Sequence, residues 1–380
     1  MKAGWTEVAL GDVARIDRRS VTAAGIAEGT LYVGLEDIDA GGGSVRPHPV
    51  RAGELGSNKF VFDSQHILYG KLRPYLAKIA SAPGSGICST DILPIRPTGV
   101  DRAFLLHFLR QPAMVGHAAA RSSGANLPRL APTELEKFRL PLPPLEEQKR
   151  IAAILDKADE LQAKRRAAES RLDALGNAVF SESASVDSKT SPLDEFLISV
   201  TSGARGWAKY YSPTGSRFVR SFDVQMNSIE SESAVWVQAP DSAEAKRIKV
   251  RENDVLLTIT GSRIGRVAAA PQELEGAYVS QHVAILRIDS SRLCPAFLAR
   301  YLSLDGQRQI RSAHYGQTKP GLNFKQIRSF RIPVLSLASQ RSLMARIEQI
   351  DWVRAQASSS ADELESLIAS LQARAFRGEL

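Results

Sequence analysis

At 380 residues the chain is long for one domain, and 43% hydrophobic with 24% charged residues is an ordinary globular composition. No apolar run reaches the roughly 18 residues of a membrane-crossing helix, and the N-terminal "MKAGWTEVALGDVARIDRRS" lacks a signal-peptide core, so the expected location is the cytoplasm. Two cysteines far apart and outside any CxxC pattern (Cys88 and Cys294) argue against structural zinc or a disulfide framework, and a net charge of +8 favours an anionic partner, nucleic acid first.

In chain order, "ALGDVARI", "YVGLEDI", "HILYGKL" and "ICSTDILPIRP" read as short strands with turns. "RAFLLHFLRQP" reads as a helix stopped by proline, and "RSSGANLPRL" as a polar loop. A long helical pattern follows Pro143-Pro144, opened by Leu145, Glu146 and Glu147, whose carboxylates complement the helix dipole. Its apolar residues recur at Ile151, Ile154, Ala158, Leu161, Ala168, Leu172, Leu175 and Val179, in steps of three or four. "SESASVDSKTSP" (Ser181 to Pro192) has the composition of a linker.

The pattern then repeats. "FRLPLPPLEEQKRI" at Phe138 matches "FRIPVLSLASQRSL" at Phe330, with Gln148 facing Gln340 at an offset of 192 (340 − 148). "ILYGKLRPYLAKIA" faces "VLLTITGSRIGRVA", "GICSTDILPIRP" faces "AYVSQHVAILRI", and "RAFLLHFLRQP" faces "PAFLARYLSLD". A second helical pattern places Leu343, Ile347, Ile350, Ala357, Ala361, Leu364, Leu367, Leu371 and Ala375 on one seam. The expected fold class is α+β, with two similar domains related by a pseudo-two-fold repeat and separated by a pair of long antiparallel coiled-coil helices. The expected domains are residues 1–140, a central helix 141–182, residues 183–333 and a distal helix 334–380. About 35 residues at roughly 1.5 Å each make a rod of about 50 Å. From periodicity alone, a hairpin that dimerises the chain or packs within one core is equally open.

These residues resemble the specificity subunit of a type I restriction–modification enzyme. "LPLPPLEEQKRIAAILDKAD", "ILYGKLRPYLAKI", "GICSTDILPIRP", "SQHVAILRI" and the terminal "ARAFRGEL" carry the likeness, in the family's order and over nearly the whole chain. The resemblance implies two target-recognition domains, each reading one half of a split double-stranded DNA sequence, with the helices as spacer. It also implies docking of two copies of an adenine methyltransferase subunit, to which ATP-driven restriction subunits are added. Leu145, Glu146, Glu147, Gln148 and Gln340 are the docking candidates. No cofactor is expected on this chain; S-adenosylmethionine, ATP and Mg²⁺ are expected in the partners. The distal copy reads "PVLSLASQ" where the central one reads "PLPPLEEQ", and the second domain keeps less of "VALGDVARI". A methylation-only or other phage-defence system is an alternative.

The chemistry of an enzyme is missing. There is no GxxxxGK[ST] loop, no Asn/Asp-Pro-Pro-aromatic motif and no HExxH, and "GSRIG" at Gly261 lacks the Lys-Ser or Lys-Thr of a phosphate loop. Glu147-x-Lys149 echoes a nuclease motif without an upstream aspartate on a strand. Base reading needs donors and acceptors on exposed loops, and Lys/Arg also hold phosphates. The first unit offers Lys71, Arg73, Ser89, Thr90, Arg121, Ser122, Ser123 and Asn126. The second offers Thr260, Ser262, Arg263, Arg266, Gln281, His282, Tyr315, Gln317 and Lys319. For Ser89, local backbone hydrogen bonding is the default. "KRR" at Lys164 is expected on a solvated outer face.

Overall fold

The computed structural model describes residues 4–51, 53–185, 189–203, 205–314 and 321–380. It forms two compact units, Met1–Ala168 with Ala357–Leu380, and Glu169–Gln356. Both boundaries fall inside the long helices, Leu145–Ser185 and Leu337–Arg377.

In the first unit, Thr6–Ala9 pairs antiparallel with Arg139–Leu142. A four-stranded antiparallel sheet runs in the order Ala14–Ile16, Ile92–Pro97, Ile67–Gly70, Ile79–Ser81. A five-stranded sheet runs Ser20–Val21, Lys59–Phe62, Gly86–Cys88, Leu31–Val33, His48–Pro49, its Leu31–Val33 and Gly86–Cys88 parallel. "ILYG" is apolar throughout because both of its faces are covered. Ile67 and Tyr69 enter the main core with Phe104, Phe108, Phe138 and Ile151, while Leu68 joins Val33, Ile38, Phe62 and Ile92 in a second cluster linking the sheets. Helix Arg102–Arg110 starts where the Asp101 carboxylate accepts from the Phe104 N–H at 2.9 Å.

The second unit repeats this plan. Thr190–Pro192 pairs with Arg331–Pro333, and the main sheet runs Leu197–Ser202, Val283–Ile288, Val255–Thr258, Val267–Ala269. Its other sheet is Tyr211–Ser212, Val235–Val237, Ser216–Val219, Tyr278–Val279, again with one parallel pair. Helix Pro295–Ser303 buries Phe297, Leu298, Tyr301 and Leu302. "SPLDEF", which looked divergent, occupies the place of "VALGDV": the Leu193 N–H donates to Phe330 O at 2.7 Å as Leu10 does to Phe138 O at 2.8 Å.

Within each unit the helices run antiparallel. In the first, Arg150 donates to Leu380 O at 3.0 Å and Arg165 to Ala357 O at 3.1 Å. In the second, Arg354 pairs with Asp173 at 2.7 Å. The α+β class and the paired helices are as expected, but three details differ. Residues 139–142 are strand, because Pro141, Pro143 and Pro144 hold the chain extended and the helix begins only at Leu145. The expected linker is largely structured: residues 181–185 are helix, with Phe180 and Ala184 in the core of the second unit, and residues 190–192 are strand. The seam is also displaced. Ile151, Ala152, Leu155 and Ala158 are buried, but Leu161, Ala168, Leu175 and Leu367 are exposed, and Gln162, Arg165 and Glu169 take the part-buried positions mid-helix.

Candidate nucleic-acid interface

In the first unit, two separated stretches converge on Asp91. The Lys71 N–H donates to Asp91 O at 2.9 Å, and its ammonium lies 3.9 Å from the Asp91 carboxylate. Arg129 donates to both Asp91 oxygens, at 3.0 and 3.3 Å. The Arg73 N–H donates to Pro128 O at 2.7 Å, and Leu130 N–H to Lys71 O at 2.9 Å. Ser123 and Arg129 exchange two backbone hydrogen bonds, closing a loop that exposes Asn126 and Leu127. Arg73 has φ +51°, and Arg73, Tyr75 and Thr90 are all exposed. Ser89 accepts from the Asp91 N–H at 3.2 Å, the local bond expected of it. Ser122 donates to Ala119 O at 2.7 Å, and Arg121 contacts His117 Nδ1 at 2.9 Å. These last two groups are engaged on their own helix end.

The second unit builds the same arrangement with other side chains. Thr260 Oγ1 and Gln281 Nε2 contact opposite ring nitrogens of His282, the latter at 3.1 Å. The Ile259 N–H donates to His282 O at 2.9 Å, and Leu322 N–H to Ile259 O at 2.9 Å, as Lys71, Asp91 and Leu130 do in the first unit. The isolated bridge Thr260–Gly321 corresponds to Leu72–Arg129. Arg263 lies with its guanidinium 4.3 Å from the Phe222 ring centroid, and Arg266 donates to Gln225 Oε1. Ser262 is exposed. Tyr315, Gln317 and Lys319 lie outside the described residues.

Sequence reasoning missed Asp91, Arg129, Tyr75, Phe222 and Gln225. Asp91 and Arg129 stand inside stretches already singled out, "CSTD" and "NLPRL", but acid was not sought on a candidate base-reading loop. Phe222 lies in "RSFDV", the counterpart of "GLEDI". Gly34 N–H donates to Asp37 at 2.6 Å, and Arg220 N–H to Asp223 at 2.8 Å.

The helix-start residues divide. Leu145 is exposed, and Glu146 and Glu147 form i,i+3 pairs with Lys149 and Arg150 at 2.9 and 2.7 Å. Gln148 and Gln340 are buried, which corrects their reading as docking groups. Gln148 accepts from the Asp101 N–H at 2.7 Å and donates to Pro143 O at 2.8 Å. Gln340 likewise accepts from the Cys294 N–H at 2.7 Å and donates to Leu335 O at 2.9 Å. Each braces the start of a long helix against the start of a domain helix, leaving no amide group for a partner. In "KRR", Lys164 pairs with Glu160 at 2.5 Å; hydrogen bonds from Lys157 and Lys164 hold that carboxyl down to about 2. Arg165 reaches the other helix instead of solvent.

The family model of the type I restriction modification DNA specificity domain matches residues 2–169 and 223–357. The chain belongs to that family. Among curated family members, the EcoBI specificity subunit of Escherichia coli is 24% identical over 322 residues, 74% of this chain and 66% of that protein. The EcoDI specificity subunit, also from Escherichia coli, is 29% identical over 130 residues, 33% of this chain and 29% of that subunit. The chain thus spans a little under two thirds of the longer-matching relatives' length. Among solved structures, a chain from work on complex assembly and conformational transition of the type I R-M system has a TM-score of 0.64 at 22% identity, covering 100% of this chain and 99% of that one. The S subunit from M. genitalium gives 0.59 at 14% identity, with 98% and 96% covered. These structures share the fold. Among the described residues, no helix is long and apolar enough to cross a membrane, and no group of three His, Cys, Asp or Glu is placed to hold a metal.

Proposed function

We propose that this chain is the non-catalytic DNA-recognition subunit of a type I restriction–modification complex. It binds a bipartite duplex target in the cytoplasm, one half-site per domain, with a gap set by the helices. It scaffolds two adenine methyltransferase subunits, and restriction subunits join them. S-adenosylmethionine, ATP and Mg²⁺ belong to those partners.

The observation that carries this reading is the repeated loop face. Two copies of one fold bring the same three loops together, and the scaffold hydrogen bonds are the same while the presented side chains differ. Lys71, Arg73, Asn126 and Tyr75 stand on one face; Thr260, Arg263, Arg266 and Gln281 stand on the other. That is the division expected of two heads that bind alike and read different bases, because phosphate contacts position a protein and base contacts specify.

Adenine-methylation mapping of a host expressing this chain with its methyltransferase tests the reading. The expected result is a split motif with a fixed gap, absent when the chain is deleted. A continuous motif, or turnover by the purified chain alone with S-adenosylmethionine or Mg²⁺, would overturn it.

A further inference from the structure

Phe222 is conspicuous in the second domain because a large apolar ring is 61% exposed on a well-braced loop. Arg220 grips the buried Asp223 carboxylate through two nitrogens, at 2.8 and 3.2 Å. The Asn227 N–H donates to Val267 O at 2.8 Å, its side chain reaches Ser303 at 2.9 Å, and Gln225 donates to Phe222 O at 2.9 Å. Arg263 also donates to Phe222 O at 3.1 Å while its guanidinium covers one face of the ring. An exposed aromatic that merely fails to find a core does not need its loop fixed to Val267, Ser303 and Arg263.

The surroundings indicate what the ring meets. Arg266 and Gln225 lie in the same loop system and are held against each other, and Thr260 and Gln281 meet on His282 in the neighbouring turn. Guanidinium, amide and hydroxyl groups together are the donors and acceptors that distinguish all four base pairs in the major groove, whereas the minor-groove pattern is degenerate. A ring inserted between base pairs stacks on both faces, and here the guanidinium occupies one. The free face and edge remain, and the apolar feature of the major groove within their reach is the thymine methyl.

We infer that Phe222, backed by Arg263, is a specificity-determining residue that reads a thymine methyl in the half-site of the second domain. The inference rests on the proposed DNA-recognition function. In the first domain Glu36 stands at the equivalent place, between Gly34 and Asp37, so the two half-sites are read differently there.

The test uses the complete complex with its methyltransferase subunits and duplexes carrying the mapped target. Each thymine of the second half-site is replaced singly by deoxyuridine, which removes only the methyl. Wild type should bind one such duplex about fourfold more weakly, the scale of one buried methyl group. Phe222→Ala should show no penalty at that position, and Phe222→Leu should keep part of it. Unchanged unfolding and unchanged reading of the first half-site by the variants establish that they fold. A flat deoxyuridine scan in wild type, an equal penalty in Phe222→Ala, or a second half-site of G·C pairs only would each overturn the thymine contact. In those cases a split motif still bound specifically leaves the recognition function standing. Loss of all preference over scrambled duplex sinks both.

Discussion

Gln148 and Gln340 show how a residue that looks like a surface label can be a brace. Each is nearly fully buried, 3% and 1% exposed, and each accepts from the N–H that opens a domain helix while donating to a carbonyl before the long helix. Replacing either by alanine leaves a buried donor and a buried acceptor unpaired, at about 1–3 kcal/mol. Gln148→Ala and Gln340→Ala should therefore each lower unfolding stability by that amount in a denaturant titration, whereas Glu146→Ala, at an exposed ion pair, should change it by less than about 1 kcal/mol. Equal effects of all three would contradict the assignment. The glutamine match at a fixed offset was legible in the sequence. Its meaning was not, because burial depends on segments almost fifty residues away.

At the scale of the helices, the spacing of apolar residues predicted an amphipathic pair but put the seam on the wrong residues near the middle. Leu161 is 47% exposed and Leu175 49%, while Leu155 is 1% exposed. Arg165 reaches Ala357 on the partner helix, Glu169 is part-buried where Leu161 and Leu175 are exposed, and one Glu169 oxygen is buried without a hydrogen bond among the described residues. Heptad counting assumes that apolar side chains take the seam; charged side chains with long stems can take it and leave leucines outside. Leu155→Ala should cost about 2–5 kcal/mol by loss of packing with Ile151 and the first-unit core. Leu161→Ala and Leu175→Ala should stay within roughly 0.5 kcal/mol. Thermal unfolding of the three variants compares them directly; a large loss at Leu161 or Leu175 would restore the original seam.

At the scale of the whole molecule, the proposed function makes the helices a ruler. Seven residues inserted in both helices add about 10.5 Å, or about three base pairs of DNA. Methylation mapping should then show the gap of the split motif lengthened by about three while both half-sites stay the same. Altered half-sites would mean that the helices do more than space. Exchanging residues 1–137 for those of another family member should replace one half-site only, and loss of both would show that the domains do not read independently.

The sequence alone determined the duplicated α+β plan, the two long helices and the family. Order along the chain and hydrophobic period survive divergence, since any domain of this fold must bury the same positions. The offset between copies drifts from 183 at Leu10 and Leu193 to 192 at Phe138 and Phe330, as the loops between them change length. Only the tertiary structure decided which loop residues stand together. Asp91 gathers Lys71 and Arg129, and Phe222 meets Arg263 forty-one positions later, through contacts that no local pattern encodes. Strand alternation is dictated by each segment's own burial, whereas the composition of a reading face depends on how far each loop reaches in space.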